Sequence, residues 1–183
     1  TFVSARTVTE SVNIAKNKTV EMYTYGGAYA LDEYAGYEGS KMVDGGADTF
    51  GYNKGFSENT KAGYSGHLTI IDLGGLYDIT QIVVKPENTK NAAEALGITT
   101  ANGYSNIGTP NQTGIVVVSE NKPVASQFST VTFTTSGDTN GVQLENGYTS
   151  FTADRIYNES TNTKYRYVSL WAPYSYGMAI KEV

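Results

Sequence analysis

Cysteine is absent from the chain, which removes disulfides, thiol redox chemistry and cysteine-type zinc sites together. Histidine occurs once, at His67, and neither a Gly-x-Ser-x-Gly nucleophile turn nor a phosphate-cradling glycine loop appears. Carboxylate pairs such as Asp32 and Glu33 are adjacent, so on an extended chain they point to opposite faces and cannot flank a scissile bond. Catalysis within this chain is therefore not expected. No apolar run reaches the roughly 18 residues of a membrane-crossing helix, and no basic-then-apolar leader opens the sequence. Clustered Lys and Arg are missing too, and the formal charge is −5. Partners held by neutralising phosphates or anionic head groups, nucleic acid and membrane lipid alike, are not expected.

What is abundant is glycine and tyrosine, 20 and 15 residues against three Met and one Trp. That balance suits many short strands joined by tight turns, and 183 residues with 39% hydrophobics suffice for one packed domain, residues 1–183. Leu68 to Ile71 and Ile79 to Val84 are two β-rich runs on either side of Asp72-Leu-Gly-Gly75, and read as two strands about a turn. Ile115 to Ser119 reads as a buried strand, Thr130 to Thr135 as an alternating one, and Lys164 to Ala172 with Met178 to Val183 as a closing pair. Tyr23 to Gly39 reads as a long loop, as does Thr99 to Thr113. One short helix is predicted, Thr89 to Gly97, capped by Thr89 or Asn91 and stopped by Gly97. The class is all-β. A start without Met, with this composition, leads to the expectation of a piece excised from a larger exported protein, extracellular or at a cell surface.

Four segments stand in a telling order: Asn13-Ile-Ala-Lys-Asn-Lys-Thr-Val20, Met42-Val-Asp-Gly-Gly-Ala-Asp-Thr49, Leu68-Thr-Ile-Ile-Asp-Leu-Gly-Gly75 with Ile79 to Val84, and Tyr165 to Leu170 with Ala179-Ile-Lys-Glu-Val183. Together they resemble the discoidin-like F5/8 type C family, and within it the bacterial family 32 carbohydrate-binding modules. The resemblance implies a jelly-roll β-sandwich of the galactose-binding-domain-like type, with variable loops gathered at one end, and a bacterial source.

The resemblance also implies a structural Ca2+ at the Asp44 loop. By position it would be held by the backbone of Lys41, by Asp44, by the Gly46 carbonyl, by Thr49, and by Ala179 and Glu182 near the C-terminus. Calcium takes six to eight oxygen ligands, and a Gly-rich loop supplies carboxylates, hydroxyls and carbonyls together. The plain alternative is an ordinary turn whose Asp side chains satisfy backbone N–H groups. Two positions depart from the family pattern: Gly46 stands where Asn or Asp is common, and Gly51 where Trp is common. The second implies that Phe50 or Tyr52 takes over the packing.

A sugar offers apolar C–H faces rimmed by hydroxyls, so its site needs a flat ring and a few fixed polar groups. Ring candidates are Tyr174 and Tyr176 on the closing loop, where family 32 modules often place one, with Tyr34 and Tyr37 on the first long loop. Polar candidates are Asn53, Lys54, Arg155 and His67, the last against an axial hydroxyl. The alternatives are that the rings only pack loops onto the sandwich, that His67 is an exposed strand-end residue, and that Trp171 is packing rather than platform. The His and paired-Arg constellation of fucose-binding relatives is not found in the sequence. Glycan binding at shallow sites of this kind would be weak, on the order of 10 µM to 1 mM, and the isolated domain is expected to be monomeric. An adhesin or spacer domain that binds a protein or cell-surface ligand is the rival reading.

Overall fold

A computed structural model describes residues 12–25, 29–31, 33, 35–46, 48–53, 67–86, 115–124, 142–143, 149–152, 157–158, 164–172 and 178–183. These form eleven strands: β1 (Thr19–Tyr25), β2 (Tyr29–Leu31), β3 (Gly51–Asn53), β4 (His67–Tyr77), β5 (Gln81–Pro86), β6 (Ile115–Ser119), β7 (Val142–Gln143), β8 (Thr149–Thr152), β9 (Tyr157–Asn158), β10 (Tyr165–Ala172) and β11 (Met178–Glu182). One sheet has the order β2-β1-β4-β10-β6-β9 and the other β3-β11-β5-β8-β7. Every pairing is antiparallel except β6 with β9. Among the described residues the helical content is a single 3-10 turn, Gly39–Met42. No helix there is long and apolar enough to cross a membrane.

The two sheets close on one apolar cluster. Ile71, Leu73, Val116, Val118, Val168 and Leu170 come from the larger sheet and Ile82, Val84 and Ile180 from the smaller, with Met42 and Val43 wedged in from the 3-10 turn. Alternation explains the choice: Ile82 and Val84 face in while Val83 between them is half-buried. Each such side chain, fully covered, contributes about 1.5–3 kcal/mol of hydrophobic stabilisation. Strand β4 is covered on both faces, for Leu68 and Ile70 are also buried although they lie outside that cluster.

The all-β sandwich, the buried strand at β6 and the closing pair β10 and β11 match the expectations from sequence. Two expectations do not hold. The Asp72 to Gly75 stretch is not a turn between strands, because β4 runs straight through it to Tyr77. Asp72 Oδ1 accepts the Gly74 N–H at 2.8 Å and Gly74 takes φ +78°, so the turn chemistry produces a bulge. On β10, Tyr167 pairs with Asp72 and Tyr165 with Tyr77, and the partners lose step between them. The chain turns only at 78–80, and β5 then joins the other sheet. The Tyr23 to Gly39 stretch is likewise not all loop: β1 continues to Tyr25 and returns as β2, with Tyr23 opposite Leu31. Alternating Tyr and Thr favour extended backbone more strongly than the nearby glycines oppose it. The predicted helix at 89–97, the strand at 130–135 and the loop at 99–113 lie outside the described residues.

Candidate functional site

The strand directions define two ends. β4 and β5 meet at 78–80, so the other ends of both, His67 and Pro86, point the same way. Beside them lie Thr24 and Ala172, each in register with His67, and Met178, in register with Asn53. The segments 54–66, 87–114 and 173–177 all depart from this end. Of the residues singled out for a ligand, Asn53 ends β3 here. Lys54, Tyr174 and Tyr176 lie outside the described residues, in segments that begin here, and Tyr34 and Arg155 also lie outside them. Trp171 sits in β10, paired with Leu68 and Ile115.

His67, singled out as a sugar contact with an exposed strand-end residue as the alternative, is buried. It is 1% exposed, because the strand it opens is central and flanked by β1 and β10. A ring so covered has no face to offer a solute, and we assign it to the framework.

Of the four rings put forward above, Tyr37 lies among the described residues, and it is partly exposed. Its ring lies 4.8 Å from Phe50 and 6.3 Å from Tyr52, the latter edge-on. Its carbonyl accepts the Tyr52 N–H at 2.9 Å, which ties it to the β3 edge. The Lys41 ammonium stands 5.9 Å from the ring centroid, while donating to the Gly36 carbonyl and pairing with Glu38 at 3.5 Å. Phe50 and Tyr52 thus pack with Tyr37, while the Cβ direction of Gly51 between them is closed by Met42, whose Cγ a Cβ there would meet at 2.5 Å.

The opposite end carries the Asp44 loop. The 3-10 turn delivers Met42 and Val43 into the core and releases the chain at Asp44, which is exposed. Asp44 Oδ1 accepts the Gly46 N–H and Oδ2 the Thr49 hydroxyl, both at 2.8 Å. The Thr49 hydroxyl, then the Gly46 N–H, hold the Asp44 carboxyl below the usual carboxylate range. Glu182, at the end of β11, comes to the same loop: its Oε2 accepts the Gly45 N–H at 3.1 Å and its Oε1 the Asn13 amide at 3.3 Å. It is 7% exposed. Burial, with the neighbouring Asp44 charge adding to it, pushes the Glu182 carboxyl up in spite of those two donors.

The predicted metal set is thus partly assembled. Asp44, Thr49, Gly46 and Glu182 converge; Lys41 lies on the 3-10 turn that leads into the loop. Ala179 pairs with Tyr52, three residues back along β11, and it is Glu182 that the hydrogen bonds bring to Gly45. Among the described residues no group of three or more His, Cys, Asp or Glu side chains gathers. The donors are instead two carboxylates, a hydroxyl and carbonyls freed by glycine, all oxygen, which is the chemistry a hard divalent cation takes. The cradle needs its glycines: Gly45 has φ +85°, and a Cβ on Gly46 would stand 3.3 Å from Asp44 Oδ1. Each of the four carboxylate oxygens already accepts one hydrogen bond, and the fit to a cation rests on the second lone pairs of these oxygens and on the Asp44 charge that Glu182 feels as well as its burial. Sequence reasoning singled out the Asn13 to Val20 segment but not what its side chains do: Asn13 donates to Glu182, 169 residues away in the chain, and Lys16 lies over Gly45.

No family model matches the chain, and neither does any curated protein. Solved structures do match, and they share this fold at low sequence identity. The chitosan-binding module 1 of a Paenibacillus sp. IK-5 chitosanase/glucanase superimposes with a TM-score of 0.52 at 18% identity, over 94% of this chain and 96% of that one. A Streptococcus pneumoniae fucose binding module, SpX-3, gives 0.54 at 12% identity over 94% and 95%. The family 32 module of C. perfringens NanJ, solved with galactose, gives 0.50 at 14% over 92% and 93%. The fold implied by the four sequence segments is the fold observed.

Proposed function

We propose that this chain is a non-catalytic carbohydrate-binding module, extracellular and bacterial, that takes glycans on its loop end and is braced by a structural calcium at the other. What supports the reading is that the segments bearing Lys54, Tyr174 and Tyr176 leave one end of a sandwich. Modules of that same fold are described as binding chitosan, fucose and galactose. Tyr174 and Tyr176 supply the rings and Asn53 and Lys54 the polar partners, with Tyr34 and Arg155 further candidates. Tyr37 braces the β3 edge at Tyr52. Affinity is on the order of 10 µM to 1 mM, compensated by multivalency in a larger protein.

Calcium enters through Asp44, Thr49, Glu182 and the carbonyls of Lys41 and Gly46. The six residues of β4 from His67 to Asp72, five steps along the strand, set the two ends about 17 Å apart. The ion therefore braces the fold and does not bridge to sugar.

A glycan array probed with the chain and with a Tyr174→Ala, Tyr176→Ala variant tests the main reading. Binding to a defined glycan class, lost in the variant, is the expected result. A blank array overturns it and leaves the adhesin or spacer reading. Melts in EDTA and in added calcium test the ion: at a hundred times its dissociation constant calcium stabilises by about 2.7 kcal/mol, and superimposable melts refute it.

A further inference from the structure

The turn that precedes β1 is built onto the Asp44 loop. Asn13 Oδ1 accepts the Ala15 N–H at 3.0 Å while its amide donates to Glu182, so one side chain shapes the turn and orients the carboxylate. Asn17, at φ +59°, donates its N–H to the Val43 carbonyl at 2.6 Å, and Lys18 N–H closes on the Ala15 carbonyl at 3.1 Å. Ala15 is buried in the core cluster. The Lys16 side chain is thereby laid across Gly45. A Cβ built on that glycine would meet Lys16 Cε at 2.8 Å, Nζ at 3.0 Å and Cδ at 3.2 Å, so the end of the stem lies flat over the residue whose N–H holds Glu182.

This arrangement carries a charge to a place where charge matters. Asp44 and Glu182 are two carboxylates joined through one glycine, and the ammonium of Lys16 lies against that glycine. We propose that Lys16 is the built-in counter-ion of this loop, screening the carboxylate pair and competing with the calcium that binds there. The inference rests on the calcium reading above, yet makes a separate claim: the lysine lowers the affinity of the loop for a divalent ion and steadies the loop without one. Its positive charge acts across a partly solvated gap, so neutralising it raises calcium affinity by about tenfold at low salt. Screening shrinks that gain as ionic strength rises.

Calorimetric titration of the intact 183-residue chain with calcium chloride, beside Lys16→Met and Lys16→Arg, tests this. Lys16→Met keeps the apolar stem and loses the charge; it is expected to bind about tenfold tighter in 20 mM KCl, with the gap closing in 1 M KCl, while Lys16→Arg keeps the wild-type affinity. In EDTA, Lys16→Met is expected to melt below wild type. Equal affinities of Lys16→Met and wild type overturn the proposal and leave the calcium reading standing, as does a gap indifferent to salt. Binding by Lys16→Met alone supports the proposal in its strongest form, and binding by neither variant nor wild type overturns both claims.

Discussion

Replacing Gly51 by alanine adds one methyl group at a site that the packing has closed. That methyl would stand 2.5 Å from Met42 Cγ, 2.8 Å from Met42 Cε and 3.1 Å from the Glu38 carbonyl oxygen. Ordinary carbon contacts lie near 3.5–4.0 Å, so the Met42 side chain must retreat by about an ångström. Met42 has nowhere easy to go, being fully buried in the cluster between the sheets, and its Cγ lies too near the backbone to move by terminal rotation alone. Forced repacking of this kind costs about 1–3 kcal/mol. In a domain of this size each kcal/mol lowers Tm by roughly 2–4 °C, so Gly51→Ala should melt about 2–12 °C low. Differential scanning calorimetry at fixed calcium is the assay, since bound ligand shifts Tm by mass action. The same clash predicts non-additivity. Met42→Ala alone costs about 2–5 kcal/mol through its cavity, but the double variant should cost less than the two together, with a coupling of about 0.5–3 kcal/mol. A Gly51→Ala protein that melts with the wild type, or a strictly additive pair, would refute the reasoning.

Further outcomes concern other parts of the molecule. Thr69 is fully buried and its hydroxyl has no hydrogen-bond partner, so Thr69→Val should stabilise by about 1 kcal/mol in urea unfolding, a buried donor being costly unless satisfied. Asp72 receives Arg166 in a two-point contact, Nε at 2.7 Å and Nη2 at 2.9 Å, and this pairing foremost holds its carboxyl below the usual range. A carboxyl depressed on folding adds stability above its unfolded pKa and loses it as pH falls through the folded one. The Tm gap between wild type and Asp72→Asn should accordingly be open at pH 6 and close below about pH 4. Tyr37→Ala removes the ring packed on Phe50 and Tyr52; a loss of about 1–2 kcal/mol is expected in the same urea assay, each aromatic pair being worth roughly 0.5–1.5 kcal/mol beyond its area. An unchanged midpoint would show that the cluster is ornamental to stability.

The strand content of this protein is written locally. Ile115 to Ser119, Tyr165 to Ala172 and Met178 to Glu182 are β-branched or alternating runs whose conformational preference is set by neighbours one and two positions away. The Asp44 turn is equally local, because an Asp side chain beside glycine reaches N–H groups within two residues of its own, as its 2.8 Å bond to Gly46 does. The same local signals misplace the turn at Asp72 to Gly75, since whether glycine ends a strand or bulges it depends on the partner strand. Here β10 is present on the far side to pair again at Tyr77. Burial is a property of the assembled sheets, which is why His67 opens a strand yet is covered, and why Met42 and not a Trp fills the space beside Gly51. The loop carboxylates show the division most plainly. Asp44 was legible as an oxygen donor from its own hexapeptide, and family resemblance added Glu182. Only the tertiary structure brings Asn13 to Glu182 and Lys16 across Gly45, because those contacts depend on closing the chain's two ends onto one loop.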